Sequence, residues 1–372
     1  MRSNFLRQFD WWMGLSVLVL VAFGFAAIYS VALSQSLGEF ISLKKQAIAL
    51  GIGLVLIIGL VGSNYRVLLS FSPHLYVLGI LLLLAVLFFG ETVRGTTGWF
   101  RLGGFSFQPV EFMKLALILV LARYFSGRQG LSLRWREIFA TGGLALFPSA
   151  LVLFQPDLGS AFVLIATWGV LLLFARVSKR QLLILLGIAI FLAAAGWQFG
   201  LADYQKARLT SFLDPASDPL GQGYNVAQSV IAVGSGQWFG RGLGFGSQSQ
   251  LRFLPEAHTD FVLAVIAEEL GFVGLALVFA AFAVLFWRLG LLASRAADGF
   301  TVFLVLGIGT TVFLQFAVNV GMNLGLMPVT GITLPFVSYG GSSLVLFLVM
   351  IGIVESASLR LSVFQERDRM VN

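Results

Sequence analysis

The feature that most restricts how this chain can fold is a succession of ten apolar runs, each near the length that crosses a bilayer. About 20 helical residues cover the ~30 Å hydrocarbon core. The runs fall at 11–34, 45–65, 72–90, 108–125, 138–156, 158–175, 181–201, 259–287, 300–324 and 342–359. Backbone inside lipid must satisfy its polar groups without water, and a helix does so within one segment. The expected fold class is therefore all-α: one membrane domain over residues 1–372, with ten transmembrane helices and one long extracytoplasmic loop at 202–259. Composition agrees, since 58% of residues are hydrophobic and 11% charged, against about 25% charged in soluble domains. There is no cysteine, which excludes disulfide and thiolate chemistry, and the two histidines, His74 and His258, form no zinc-type spacing. A divalent cation such as Mg or Mn held by carboxylates stays open. No organic cofactor and no nucleic acid partner is indicated. The first run is too long for a signal-peptide core and reads as a retained helix.

Charge gives orientation. With the N-terminus inside, most of the 24 Lys and Arg residues fall in cytoplasmic segments. That bias puts both termini in the cytoplasm and residues 254–260 on the outer face; only the pair Lys44 and Lys45 runs against it. The uncharged stretch 299–354 is interrupted by Asn319, Asn323, Pro328, Pro335 and the serine and glycine run 338–343. Broken backbone of this kind sits at membrane depth only where protein or a water-filled cavity satisfies it. In the long loop, the glycine-rich passage 234–246 reads as irregular backbone packed on the bundle. Its Gly-x-Gly repetition lacks the strand and helix context of a phosphate-cradling loop.

Four clusters compete for chemistry at the outer end. In 254–271, Glu256, His258 and Asp260 lie in a polar turn that runs straight into a hydrophobic helix; Pro255 ends any earlier helix, Thr259 can cap the new one, and Asp260 then lies in its first turn. Glu268 would be about 12 Å deeper and roughly 80° around the axis. Ionisable groups in such places are either partnered within the bundle or functional. In the second cluster, Glu111 and Lys114 are spaced to pair on a helix. Alternatively Arg94, Arg101 and Lys114 are cations for an anionic ligand, and Trp99 is an interfacial anchor or a sugar-stacking platform. Gln155-Pro-Asp-Leu-Gly159 is explained by turn chemistry or by function. The fourth, 323–343, rich in hydroxyls including Ser338 and Ser342, either lines a polar cavity or forms a tight re-entrant turn.

Taken together, Gln108-Pro-x-Glu-Phe-Met-Lys114, Gln155-Pro-Asp-Leu-Gly159, Leu254-Pro-Glu-x-His-Thr-Asp-Phe261 with Glu268-Glu-Leu-Gly271, and the run from Asn323 to Ser343 resemble the SEDS family of bacterial shape, elongation, division and sporulation proteins. The likeness extends from the first span to the last and is strongest to the elongation branch. Thr333 stands where many relatives have proline. The resemblance implies a peptidoglycan glycosyltransferase of the bacterial cytoplasmic membrane that polymerises lipid II on the outer face, beside a class B penicillin-binding protein and other elongation-machinery membrane proteins. It implies Asp260 as general base and tentative metal ligand. Arg94, Trp99, Arg101, Glu111, Lys114, Glu256, His258, Thr259, Ser338 and Ser342 are then the expected substrate contacts. Competing readings are a lipid II flippase or similar transporter, and a non-catalytic scaffold.

Overall fold

The computed structural model describes residues 9–33, 40–93, 95–102, 105–128, 132–200, 205–206, 210–212, 214 and 221–371. Each of the ten apolar runs is a helix: α1 (Trp11–Leu33), α2 (Phe40–Gly62), α3 (Val67–Phe89), α4 (Pro109–Ser126), α5 (Trp135–Phe154), α6 (Leu158–Phe174), α7 (Lys179–Ala195), α9 (Val262–Arg295), α10 (Gly299–Asn323) and α11 (Gly341–Val371). Between α7 and α9 lies α8 (Gln222–Ser235). Among the described residues, eight helices are long and apolar enough to cross a membrane. Of the other two expected spans, α6 has 17 residues and α4 carries Glu111, Lys114 and Arg123.

That charged helix is the centre of the bundle. From Pro109 to Ala122 only Phe112 and Val120 escape full burial, because α3 and α10 pack on α4 directly and α5, α6 and α11 complete the enclosure. Pro109 begins it at the first helical turn, where a missing N–H costs nothing. Outside this centre α2 lies along α11, and α1 along α9. Helix α7 stands apart, with only Gln181 buried. Gln181 answers the backbone of Ser178 in a capping box and donates from Nε2 to Leu133 O at 2.9 Å. At the end of the bundle where α4 begins, the segment after α3 folds into an antiparallel sheet: β1 (Glu91–Val93), β2 (Thr96–Leu102) and β3 (Phe105–Phe107), with β2 in the middle. At the opposite end, arginine pairs such as Arg66 with Asp298 and Arg288 with Asp10 join the helix termini. There too Glu137 accepts from the Arg134 backbone N–H at 2.8 Å and from the Arg128 guanidinium at 2.7 Å.

The later part of the long loop packs into the bundle. α8 runs down along α9 and α10, and the chain after it is inserted against a break in α9. At Gly271, with φ 66° and ψ −163°, α9 leaves helical geometry about 14 Å from its start. The backbone groups set free there find partners in the glycine-rich passage. Arg241 N and Gly242 N donate to the carbonyls of Glu268 and Glu269 at 3.0 and 2.9 Å, while Phe272 N and Val273 N donate to those of Gln237 and Trp238 at 2.8 and 3.1 Å. Glycine is required by proximity, since a Cβ on Gly236 would collide with Ala267 O and one on Gly240 with Glu269 O. Both neighbouring carboxylates serve the same joint. Glu268 accepts from the backbone N–H groups of Gln248 and Ser249 at 2.8 and 3.1 Å, and Glu269 from the hydroxyls of Ser30 and Ser249 at 2.6 and 2.9 Å. Of the two explanations the sequence left for these acids, partnering within the bundle describes them.

Gly240 has φ 75° and no room for a side chain, so Gly240→Ala should lower stability by about 2 kcal/mol or more. Gly143→Ala, into open space on α5, should leave it unchanged. Thermal unfolding in detergent compares them.

Candidate active site

A cavity of about 430 Å³ opens at the end of the bundle that carries the sheet. Its wall includes eight of the expected site residues, Trp99, Arg101, Glu111, Lys114, Glu256, His258, Thr259 and Asp260. The chain brings them together from β2, from the first turns of α4 and from the turn before α9.

That turn is held almost entirely by main-chain atoms. Three successive carbonyls, of His258, Thr259 and Asp260, accept from the 319–339 region: Tyr339 N to His258 O at 2.8 Å, Ser338 Oγ to Thr259 O at 2.6 Å, and both Asn319 Nδ2 and Asn323 Nδ2 to Asp260 O at 3.0 and 2.9 Å. Asn319 and Asn323 are one helical turn apart on α10, so both can reach a single carbonyl. Asn323 Oδ1 also accepts from Ala264 N at 3.1 Å, an N–H of the first turn of α9 that it shares with Phe261 O at 3.0 Å. This differs from the expected cap. Thr259 does not cap α9; its hydroxyl donates back to Glu256 O at 3.3 Å, and Asp260 precedes the helix, whose N-cap is Phe261. The competition was decided by α10, which supplies a better-placed amide than a local hydroxyl could.

Lys114 Nζ meets Glu111 Oε1 at 2.7 Å, and both side chains are more than nine-tenths buried. The pairing expected on spacing is therefore present, yet the pair also faces the cavity, so the two readings of these residues are not exclusive. Arg101 lies at the exposed rim, its Nε 3.1 Å from Glu91 Oε2. Arg94 lies outside the described residues. Ser338 and Ser342, also expected as substrate contacts, are not among the residues lining this cavity. The Ser338 hydroxyl holds the Asp260 turn as above. Ser342 Oγ donates to Ser106 O at 2.6 Å, tying the sheet to the start of α11. Of the turn at 155–159, Asp157 caps α6 by accepting from Ser160 N at 2.9 Å and lines the cavity as well.

Lys45 of α2 also lines the cavity. Its signal was in the sequence, because a lysine pair that breaks the charge bias of its side needs another reason to be there. Gln315 is a further lining residue that no local pattern marked, and Thr330, from the hydroxyl-rich cluster at 323–343, lines the cavity as well. Among the described residues no group of three His, Asp or Glu side chains converges closely enough to hold a metal ion. The donor set thus fits a cation only where a ligand brings oxygens of its own, as hard cations commonly require.

The chain matches the FTSW_RODA_SPOVE family profile, described as a cell cycle protein, over residues 10–362. It is 39% identical over 356 residues to the peptidoglycan glycosyltransferase MrdB of Escherichia coli K12, an alignment covering 92% of this chain and 91% of that one. Among solved structures it resembles a chain from work on the coordination of polymerization and crosslinking by a peptidoglycan synthase complex, with TM-score 0.79, 36% identity and coverage of 95% and 98%. It also resembles the rod shape determining protein RodA of Thermus thermophilus, with TM-score 0.70, 31% identity and coverage of 94% and 96%.

The buried pair gives a two-part expectation. Lys114→Met alone leaves Glu111 buried without its cation and should cost about 3 kcal/mol or more, whereas Glu111→Gln with Lys114→Met should restore most of the stability. If the pair serves the ligand as well as the fold, the stable double variant remains inactive; thermal unfolding and turnover measured on the same samples separate the two roles.

Proposed function

This chain belongs to the FtsW, RodA and SpoVE family and is a peptidoglycan glycosyltransferase, and on that premise we propose that it polymerises lipid II into glycan strands on the outer face of the bacterial cytoplasmic membrane during elongation. The observation that carries the reading is a carboxylate, Asp260, whose backbone carbonyl is held by two donors, in a turn that two more donors fix at His258 and Thr259, on a cavity whose wall also bears Lys45, Arg101 and Lys114.

The reaction joins the 4-hydroxyl of a terminal N-acetylglucosamine to the anomeric carbon of a muramyl unit. As the new C–O bond forms, Asp260 takes the hydroxyl proton, and the bond to the lipid pyrophosphate breaks with its electron pair leaving on phosphate oxygen. One displacement inverts α to β, so no protein nucleophile is needed, and the pyrophosphate leaves without a general acid provided its growing charge is met. Lys45, Lys114 and Arg101 supply that charge, Arg101 with planar donors suited to phosphate oxygens. A carboxylate is a weak base for an alcohol, so its contribution comes from transfer in the transition state, at a position fixed beforehand. A divalent cation such as Mg or Mn, bound by Asp260 and by pyrophosphate oxygens, would add to the positive charge on the leaving group.

The basic residues at the end opposite the cavity support cytoplasmic termini and an outward-facing site. A class B penicillin-binding protein is the partner this reading calls for, since a polymerised strand must be cross-linked, with other elongation-machinery membrane proteins alongside. The transporter reading gains little. A broken helix in a transporter exposes its freed backbone to the substrate, whereas at Gly271 those groups are bonded to the glycine-rich passage.

Asp260→Asn keeps every backbone contact of its turn, so the protein should insert, keep its unfolding temperature and bind its partner while polymerisation of purified lipid II falls at least ~100-fold. Strands made at the normal rate by this variant would remove Asp260 from the chemistry. Chelator added to the wild-type reaction tests the cation: a loss restored by Mg or Mn supports it, and unchanged turnover discards it.

A further inference from the structure

Two polar side chains in the cavity have no assigned task. Gln315 is 1% exposed, and among the described residues both its amide nitrogen and its amide oxygen lack a hydrogen-bond partner; the same is true of the hydroxyl of Thr330. Native proteins seldom leave such groups unpaired, because each costs the desolvation it suffered without compensation. Here the three unpaired atoms belong to two residues that line one cavity.

Their depth follows from helix arithmetic. α4 begins at the cavity end and α10 finishes there, so the two run antiparallel, and they are in register where Gly307 packs on Ile118, whose Cγ2 would lie 2.6 Å from an added Cβ. Eight residues on from Gly307 and seven back from Ile118 are each about 10–12 Å. Gln315 is thus level with Glu111, and about 6 Å below Asn319, the anchor of the Asp260 carbonyl. Thr330 adjoins Gly331, where an added Cβ would be 3.8 Å from Asp260 Oδ2. Gln315 therefore lies deeper in the bundle than the Asp260 turn, and Thr330 lies next to a residue that approaches the carboxylate.

The inventory is one N–H donor group and one carbonyl acceptor on Gln315, and one hydroxyl, able to do either, on Thr330. A phosphate or carboxylate offers acceptors only and would leave the Gln315 oxygen facing another oxygen. An acetamido group on a sugar, with the hydroxyl at the next carbon, offers a carbonyl to the Gln315 amide, an N–H to Thr330 and an O–H to the Gln315 oxygen. The carbonyl and N–H of a trans amide point in opposite directions, so two flanking side chains suit it better than one. We propose that Gln315 and Thr330 form a subsite for the acetamido group and 3-hydroxyl of the N-acetylglucosamine whose 4-hydroxyl meets Asp260. The subsite excludes a muramyl ring from the acceptor position, since that ring carries an ether at O3 and has no proton for the Gln315 oxygen. This inference rests on the glycosyltransferase reading.

The test compares lipid II with lipid II whose terminal glucosamine is de-N-acetylated, using the purified protein with its transpeptidase partner and following strand synthesis. The wild type should use the de-N-acetylated substrate roughly 10–100-fold less efficiently in kcat/KM. Gln315→Met and Thr330→Val should lose activity on normal lipid II and treat the two substrates within about threefold of each other. Gln315→Met should also keep or raise the unfolding temperature, because it removes an unpaired amide. Equal use of both substrates by the wild type overturns the subsite. So does full discrimination in Gln315→Met, which would mean that water alone occupies these atoms. Those results would leave the enzyme reading standing, whereas no strands from wild type on normal lipid II would overturn that reading itself. The substrate comparison in wild type decides the matter even if a variant fails to fold.

Discussion

Backbone that leaves the helix inside a membrane must find its hydrogen bonds within the protein, and this structure meets that demand twice. At Gly271 the freed groups of α9 are paired with a glycine-rich segment that can approach only because it lacks side chains. At the end of α10 the chain leaves helical geometry for residues 324–340, and the turn before α9 is bonded to that irregular stretch and to Asn319 and Asn323. The wall of the cavity at Asp260 is a product of the second repair. Residues 254–261 could not hold a fixed shape alone, and their shape comes from donors on α10 and on the segment after it.

Electrostatic organisation follows the same division. Charges at the cavity come from different helices, Lys45 from α2, Lys114 from α4 and Asp260 from the turn before α9. Glu111 makes the burial of Lys114 tolerable, at a place where a lone ammonium would be an uncompensated charge. The acids that do not face the cavity, Glu268 and Glu269, terminate a helical turn and bind serine hydroxyls, and so leave the chemistry to others.

The ten helices and their order were legible because hydrophobic length is a property of each segment alone, although only eight of the ten are long and apolar enough to cross a membrane. That Asp260, Glu111 and Lys114 line a cavity was legible too, since charge in an apolar setting is conspicuous. What escaped was set by partners distant in sequence. Thr259 has every local qualification for a cap, but Asn323, 59 residues away from Ala264, fills that role. Ser338 and Ser342 looked like ligand contacts because hydroxyls near a cavity usually are, and only coordinates reveal the carbonyls they serve. The sheet at 91–107 is short, and its strands are held by one another rather than by an alternating pattern strong enough to read. Gln315 sits in an ordinary apolar helix where one amide draws no notice.

The anchoring of residue 260 by its carbonyl has a bearing on how such proteins diverge. The architecture grips the peptide unit of residue 260 through donors on α10 and on the segment after it. A slip of α10 by one residue would therefore displace position 260 even if the sequence of its own turn never changed.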